Sequence, residues 1–356
     1  MIIGIACNKF PAAGGMERYV SDVAKSLIEK GHQVVIFTKK YTGEIEEDFG
    51  KSLEVVSFDF KLIPNKLSDF FFEKWINKER KKYRLDFLLT AGPRLSFSDV
   101  IICGGTHQGF ISNFKRRVGF FDRIFLKTDR DSFRTSGLVI AHSKLMEKEL
   151  REYYQVPSRK IKTIYPPIDA RRFSAITAEE RMILREKFGF PADRKVFLFP
   201  STGHIRKGYP FLETFFEKTS LPVLLVVVGR DIPKEFPTIR YAGYSREIEN
   251  YYRAADYTIL ASEYEPFGLV APESILCGTP VVMPKSAGCC EVIKSPGLHA
   301  FENGNLSSLT KLMERLCAKD HTYEPEKIVK SLQYDYDLSK HVDDILNAWT
   351  SYNSNK

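Results

Sequence analysis

Short apolar runs and amphipathic stretches alternate from the start of the chain. "MIIGIAC" (1–7), "QVVIFTK" (33–39), "FLLTAG" (87–92), "DVIICGG" (99–105) and "GLVIAHS" (137–143) are apolar and end in small or polar residues, as strands do. Between the first two lies "GGMERYVSDVAKSLIEKGH", with Met16, Tyr19, Val20, Val23 and Leu27 at helical spacing and Gly31 as the stop. "KLMEKELREYY" (144–154) reads as another helix. "YPPIDARRF" (165–173), with its two prolines, marks the end of this series.

A second alternation follows. "KVFLFPSTG", "PVLLVVVGR", "TIRYAGY", "DYTILAS" and "TPVVMPK" read as strands, and "YPFLETFFEK", "SREIENYYRAA", "GLVAPESILCG" and "LSSLTKLMERLCA" as helices. The run "PVLLVVV" is apolar throughout, as expected of a strand buried on both faces of a parallel sheet. A last amphipathic helix, "LSKHVDDILNAWTSY", closes the chain. Strands alternating with helices imply an α/β architecture with parallel sheets. Two such series predict two Rossmann-like domains facing across a cleft, over residues 1–168 and 169–337, with 338–356 as a C-terminal helix. In open sheets of this kind ligands bind beyond the carboxyl ends of the strands.

The chemistry is therefore sought in the strand-to-helix turns. The first holds Gly14 and Gly15 at a helix start, where backbone amides and the helix dipole can approach an anion. Neither a dinucleotide fingerprint nor a Walker pattern is present. The turn "STGHIRKGYPF" (201–211) carries Gly203, Arg206 and Lys207, and the two cations could meet a diphosphate. His204 reads as a structural or loop residue. The turn "SEYEPFGLVAPE" (262–273) carries two glutamates. Glu273, inside a helix starting near Leu269, can accept two vicinal hydroxyls of a ribose, and Glu265, at the lip of the cleft, can accept from a sugar. Glu263 reads as solvent-facing. In "IICGGTHQGF" (101–110), His107 follows a Gly-Gly turn and could hydrogen-bond a sugar hydroxyl or position an acceptor.

Composition adds one feature. The chain of 356 residues is 43% hydrophobic and 28% charged, ordinary for a globular protein, but its net charge of +8 is unevenly placed. Residues 1–170 carry 29 Lys and Arg against 21 Asp and Glu, and residues 171–356 carry 24 of each. The excess gathers in "NKERKKYR" (77–84) and "FKRRVGFFDRIFLK" (114–127). The latter interleaves bases with Phe114, Phe120, Phe121, Ile124, Phe125 and Leu126, which suits a surface helix on anionic lipid or a solvated helix with an apolar buried face. No nucleic-acid motif accompanies the charge. Six cysteines without a C-x-x-C pair, and no apolar leader or membrane-length run, fit reduced thiols in a cytoplasmic protein.

The pattern resembles the retaining glycosyltransferases of family 4, which have the GT-B fold. The likeness rests on Gly14-Gly15-x-Glu17, "RKG" at 206–208, "EPFGLVAPE" as an E-x7-E motif, "ESILCGTPVV" after it and the final helix. "YPPID", "RKG" and the histidine turn are similar to the lipopolysaccharide core glucosyltransferases within it. The resemblance implies that Gly15 faces donor phosphate or sugar and that Arg206 and Lys207 neutralise the leaving diphosphate. It implies that Glu273 binds the ribose, Glu265 the transferred hexose, and Phe267-Gly268-Leu269 contribute amides. His107 matches the active-site histidine turn. It further implies a UDP-sugar donor, no cofactor and no metal, a glycolipid or saccharide acceptor, and a C-terminal helix crossing back to the first domain. "DRD" (129–131) and "DYD" (335–337) then read as chance, and the two glutamates do not resemble the facing carboxylates of a hydrolase. Cys289-Cys290 departs from the small polar residues usual there. A nucleotide-sugar epimerase and a non-catalytic donor-binding subunit are the competing readings. Placement at the inner face of the cytoplasmic membrane follows from the resemblance and the basic stretch together.

Overall fold

The computed structural model describes residues 1–11, 15–43, 47–58, 68–318 and 323–354. The chain divides into two units, one made of Met1–Pro167 with Asp335–Lys356 and the other of Ile168–Tyr334.

The first unit is built on seven parallel strands: β1 (Ile2–Phe10), β2 (Gln33–Tyr41), β3 (Leu53–Ser57), β4 (Phe87–Ala91), β5 (Val100–Cys103), β6 (Leu138–Ala141) and β7 (Ile161–Thr163). Their order is β3-β2-β1-β4-β5-β6-β7, so the direction of winding reverses between β1 and β4. Alternation along the strands divides the core between two faces. Ile3, Ile5, Ile36, Phe87 and Leu89 lie under α1 (Gly15–Glu29), together with Val342, Ile345 and Trp349 of the C-terminal helix (Leu338–Ser354). Ala6, Val35, Phe37 and Leu88 lie under Phe72 and Ile76 of α2 (Ser68–Glu79). Three further helices follow, α3 (His107–Asn113), α4 (Phe120–Thr135) and α5 (Lys144–Glu152).

The basic stretch 114–127 is not one helix. Lys115 sits at φ 47, outside helical space, and α4 begins only at Phe120 after Gly119 as its cap. Asp122, at the third helical position, reaches back and accepts from the Gly119 N–H at 2.8 Å, the one half of a capping box that needs no N-cap side chain. Phe120, Phe121 and Ile124 are exposed on this helix, and Val118 in the loop before it.

The second unit has six parallel strands: β8 (Lys195–Ser201), β9 (Val223–Gly229), β10 (Ile239–Tyr241), β11 (Tyr257–Ile259), β12 (Val281–Pro284) and β13 (Leu298–Phe301). The order is β10-β9-β8-β11-β12-β13, reversing between β8 and β11. Val223 to Val228 are all buried, as the apolar run required. Around the sheet lie α6 (Ala178–Lys187), the single turn α7 (His204–Lys207), α8 (Tyr209–Lys218), α9 (Ile248–Ala254), α10 (Val270–Leu276), α11 (Leu306–Cys317) and α12 (Pro325–Val329). All six cysteines are free thiols. No described helix is long and apolar enough to cross a membrane.

Candidate active site

In the second unit, the winding reverses between β8 and β11, and both loops of interest leave the carboxyl ends of those strands. A crevice opens at such a point because the two connections run to opposite faces of the sheet. After β8 the chain makes one helical turn and reaches Gly208 at φ +80. A Cβ there would stand 2.1 Å from the Ala261 carbonyl oxygen, so only glycine fits. The Ala261 N–H donates to the Lys207 carbonyl at 3.1 Å, which ties the β8 loop to the β11 loop. His204 braces the turn through Ser201 Oγ at 3.0 Å and the carbonyls of Arg230 and Asp231. The structural role expected for it is the one it has.

This crossing brings together the four charged residues singled out in the sequence. Glu265 is 8% exposed and accepts from Ser262 Oγ at 3.0 Å. Gly268, at φ +92, folds the chain back over it so closely that a Cβ would stand 2.6 Å from Glu265 Cγ. Arg206, half-exposed, holds Nη1 3.9 Å from Glu265 Oε1. Lys207 is directed inward, and Nζ donates to the Pro200 carbonyl at 3.0 Å. Desolvation lowers its pKa; Glu265 and Glu273 oppose that shift, and Arg206 adds to it. The site therefore holds a desolvated cation that feels the charge of both carboxylates, beside a more exposed guanidinium.

Glu273 lies in the first turn of α10 and accepts from the Tyr252 hydroxyl at 3.2 Å. Burial, then the Glu273 charge, raise the Tyr252 pKa well above its ordinary value, so the phenol stays a donor. Glu263 is exposed. Phe267 and Cys289 are buried, and the Gly288 and Cys289 amides donate to the carbonyls of Glu265 and Phe267, both at 2.9 Å. The Cys289-Cys290 departure thus has a structural reading. Cys289 Sγ packs 3.7 Å from Met283 Sδ, Cys290 Sγ approaches the Pro284 carbonyl, and the backbone of the loop clamps the glutamate segment. Gly203 and Gly15 differ from Gly208: a Cβ at either would meet nothing within 4 Å, so the fold itself does not demand glycine there.

The remaining residues belong to the first unit. Gly14 lies outside the described residues, and Gly15 opens α1 at the carboxyl end of β1. His107 opens α3 behind the N-cap Thr106, and its ring packs against Phe125. Its Nε2 stands 2.9 Å from Asp122 Oδ1. Beneath it, Asp129 accepts from the His107 N–H at 3.1 Å, Arg94 Nε at 2.9 Å and the Tyr154 hydroxyl at 3.0 Å. Arg94 also donates to the Gly92 and Gly105 carbonyls, so one buried ion pair fixes the histidine turn. "DRD" as chance is corrected to that extent: its first aspartate holds the turn. Asp122 was not singled out in the sequence; its only local signal is an acidic residue three positions after Gly119, where a carboxylate can reach back to the N-cap amide. Among the described residues, no three His, Cys, Asp or Glu side chains gather as a metal would require.

Two units of parallel doubly wound sheet, the second gathering paired glutamates and two cations at its switch point, define a glycosyltransferase of the GT-B fold. The chain belongs to glycosyltransferase family 4: residues 13–172 match the family described by that name, and residues 180–330 match glycosyl transferases group 1. It is 36% identical over 351 residues to a probable transglycosylase of Burkholderia thailandensis, covering 97% of this chain and 96% of that protein. It is 22% identical over 315 residues to the lipopolysaccharide glucosyltransferase WaaG of Escherichia coli, covering 82% and 83% of the two chains. The crystal structure of WaaG superposes with a TM-score of 0.75 over 97% of this chain and 95% of that one, at 16% identity. Anabaena HepE in complex with UDP-glucose superposes with a TM-score of 0.74 over 99% of this chain and 100% of that one, at 18% identity.

Proposed function

We propose that the protein transfers a hexose from a UDP-sugar to a glycolipid or lipopolysaccharide-core acceptor, with retention of the anomeric configuration and without a metal. The observation that carries this reading is the convergence of Arg206, Lys207, Glu265 and Glu273 on the switch point of the second sheet. Breaking a sugar–diphosphate bond develops negative charge on the leaving oxygen. Arg206 and Lys207 supply positive charge in a partly desolvated site, where it acts more strongly than in water. Glu273, already an acceptor of one hydroxyl in its first helical turn, has the chemistry to accept the ribose hydroxyls. Glu265, held by Ser262 and backed by Gly268, is oriented to accept from the transferred hexose. The open space at Gly15 and Gly203 suits a backbone that must approach a phosphate or sugar. His107 supplies a hydrogen bond to a sugar hydroxyl. The name of the WaaG relative and the UDP-glucose complex of HepE support glucose, or a close relative of it, as the sugar.

The exposed Phe120, Phe121 and Ile124 among Arg116, Arg117 and Arg123 support a peripheral position on an anionic membrane, at its cytoplasmic face. The reaction is tested by following nucleoside diphosphate release from a panel of nucleotide sugars in excess chelator, with and without a bacterial glycolipid extract. Release from one uridine donor, accelerated by the extract, is the expected result. No release from any donor with the extract present, while uridine diphosphate still binds, would leave a donor-binding subunit and end the transferase reading. An epimeric nucleotide sugar as product would end it too.

A further inference from the structure

His107 is not a free histidine in a turn; it is one half of a pair. Its Nε2 lies 2.9 Å from Asp122 Oδ1, and its backbone N–H is held by Asp129. Asp122 is buried, and its carboxylate is crowded with donors. The Gly119 N–H donates to Oδ2 at 2.8 Å, and Arg116 Nη2 reaches Oδ1 at 3.1 Å and Oδ2 at 3.2 Å. Together with His107 these bonds keep the carboxyl below its ordinary pKa, the Gly119 amide being the largest cause, so it is ionised at neutral pH. An ionised carboxylate accepts and cannot donate. The proton of a neutral imidazole facing it must therefore sit on Nε2, and Nδ1 must carry the lone pair. Nδ1 has no hydrogen-bond partner among the described residues.

We propose that Asp122 is a positioning residue for the transfer reaction: it fixes His107 as the Nε2–H tautomer, so that Nδ1 is a committed acceptor for a substrate hydroxyl. The inference rests on the transferase reading for its kinetic consequence but not for the tautomer itself. Without Asp122 a neutral imidazole exchanges its proton between the two nitrogens, and only one of the two forms can accept at Nδ1. The ring also packs against Phe125 and lies near Phe110, so the contribution of the carboxylate is the choice of tautomer more than the placing of the ring.

Asp122→Asn is the informative change. The Gly119 N–H still needs an oxygen, so the asparagine turns its carbonyl to Gly119 and its NH2 toward His107. An NH2 facing Nε2 demands a lone pair there and drives the proton to Nδ1. The test is a long-range proton–nitrogen correlation spectrum of full-length protein labelled at histidine nitrogens, with the His107 signals assigned by their absence in His107→Gln. Wild type, observed at a pH where the His107 ring is neutral, is expected to show the Nε2–H tautomer and Asp122→Asn the reverse, with the melting temperature preserved by the intact cap. Turnover in the variant is expected to fall by more than about tenfold at little change in KM for the donor. Asp122→Glu, which restores a carboxylate, recovers part of it. A mixed or Nδ1–H tautomer in wild type would overturn the proposal, as would an unchanged tautomer and rate in Asp122→Asn. If wild type shows the Nε2–H form but transfers no sugar, the tautomer stands and the transferase reading fails.

Discussion

At the scale of single residues, the candidate site depends on how backbone and side chain are forced together around Glu265. Gly268 allows the return of the chain at φ +92, and its missing Cβ leaves the room that Glu265 Cγ fills. Gly268→Ala should thus displace the carboxylate before it endangers the fold. Turnover is expected to drop by more than about tenfold, while stability falls by roughly 1–3 kcal/mol, the usual strain of a side chain in such a conformation. Parallel assays of rate and urea unfolding check this; a rate that follows stability alone would contradict it. Glu265, Glu273, Arg206 and Lys207 were legible in the sequence because each falls in a turn that follows an apolar strand. Asp122 and Asp129 were not. Their partners lie 15 to 35 residues away in the chain for His107 and Arg94, and only tertiary packing sets such pairs. The inward course of Lys207 was hidden for the same reason, since no local pattern shows that Pro200 supplies its acceptor.

At the scale of elements, the C-terminal helix shows both what periodicity reveals and what it conceals. Val342, Ile345 and Trp349 are spaced for one buried face, and the amphipathic pattern displays them. It does not display His341, which is 2% exposed on that helix. His341 Nδ1 must donate to the Tyr165 carbonyl at 2.8 Å, so Nε2 accepts from the Tyr19 hydroxyl at 2.9 Å. His142 lies beside both rings, and its Nε2 has no partner among the described residues. Burial depresses His341 from 6.5 to about 4 and, with His341 nearby, His142 to about 3; the Tyr165 carbonyl and Asp344 act against the shift of His341. Both values are depressed, so the unfolded chain takes up these protons first. Their effect on stability is absent well above 6.5 and grows as the pH falls toward 4 and 3. Each histidine removes about 1.4 kcal/mol per pH unit in that window. The three apolar side chains contribute roughly 2 kcal/mol each, so the helix should hold near neutrality and loosen about two units below the ordinary histidine value. His142→Phe is expected to flatten the acid limb of unfolding free energy against pH by about one proton's slope; parallel curves for variant and wild type would contradict the account. Strands were legible where they are long and apolar, as in β1 and β9. β3, β7 and β13 were not, because they are short and only partly buried.

At the scale of the whole molecule, charge and exposed apolar surface coincide in the first unit. The excess of +8 lies within residues 1–170, and Phe120, Phe121 and Ile124 are exposed beside Arg116, Arg117 and Arg123. The sequence showed the interleaving but not where the helix begins, because the left-handed Lys115 and the Gly119 cap are backbone facts. Flotation with vesicles is expected to carry the protein on anionic lipid and not on neutral lipid, with binding weakened by salt. The double change Phe120→Asp with Phe121→Asp should release it while leaving donor turnover in solution intact. Equal flotation on both lipids would remove the membrane reading without touching the chemistry of the second unit.

That chemistry is tested most directly by one comparison: uridine diphosphate release from the preferred donor, in excess chelator, by wild type and by Glu265→Ala, with uridine diphosphate affinity measured on both. Wild type is expected to release uridine diphosphate and the variant to do so more than about a hundredfold more slowly, with affinity within about threefold, because Glu265 is assigned to the sugar and not to the nucleotide. Equal rates for the two proteins would contradict this chemistry, and so would wild-type release that stops in chelator and returns with a divalent ion.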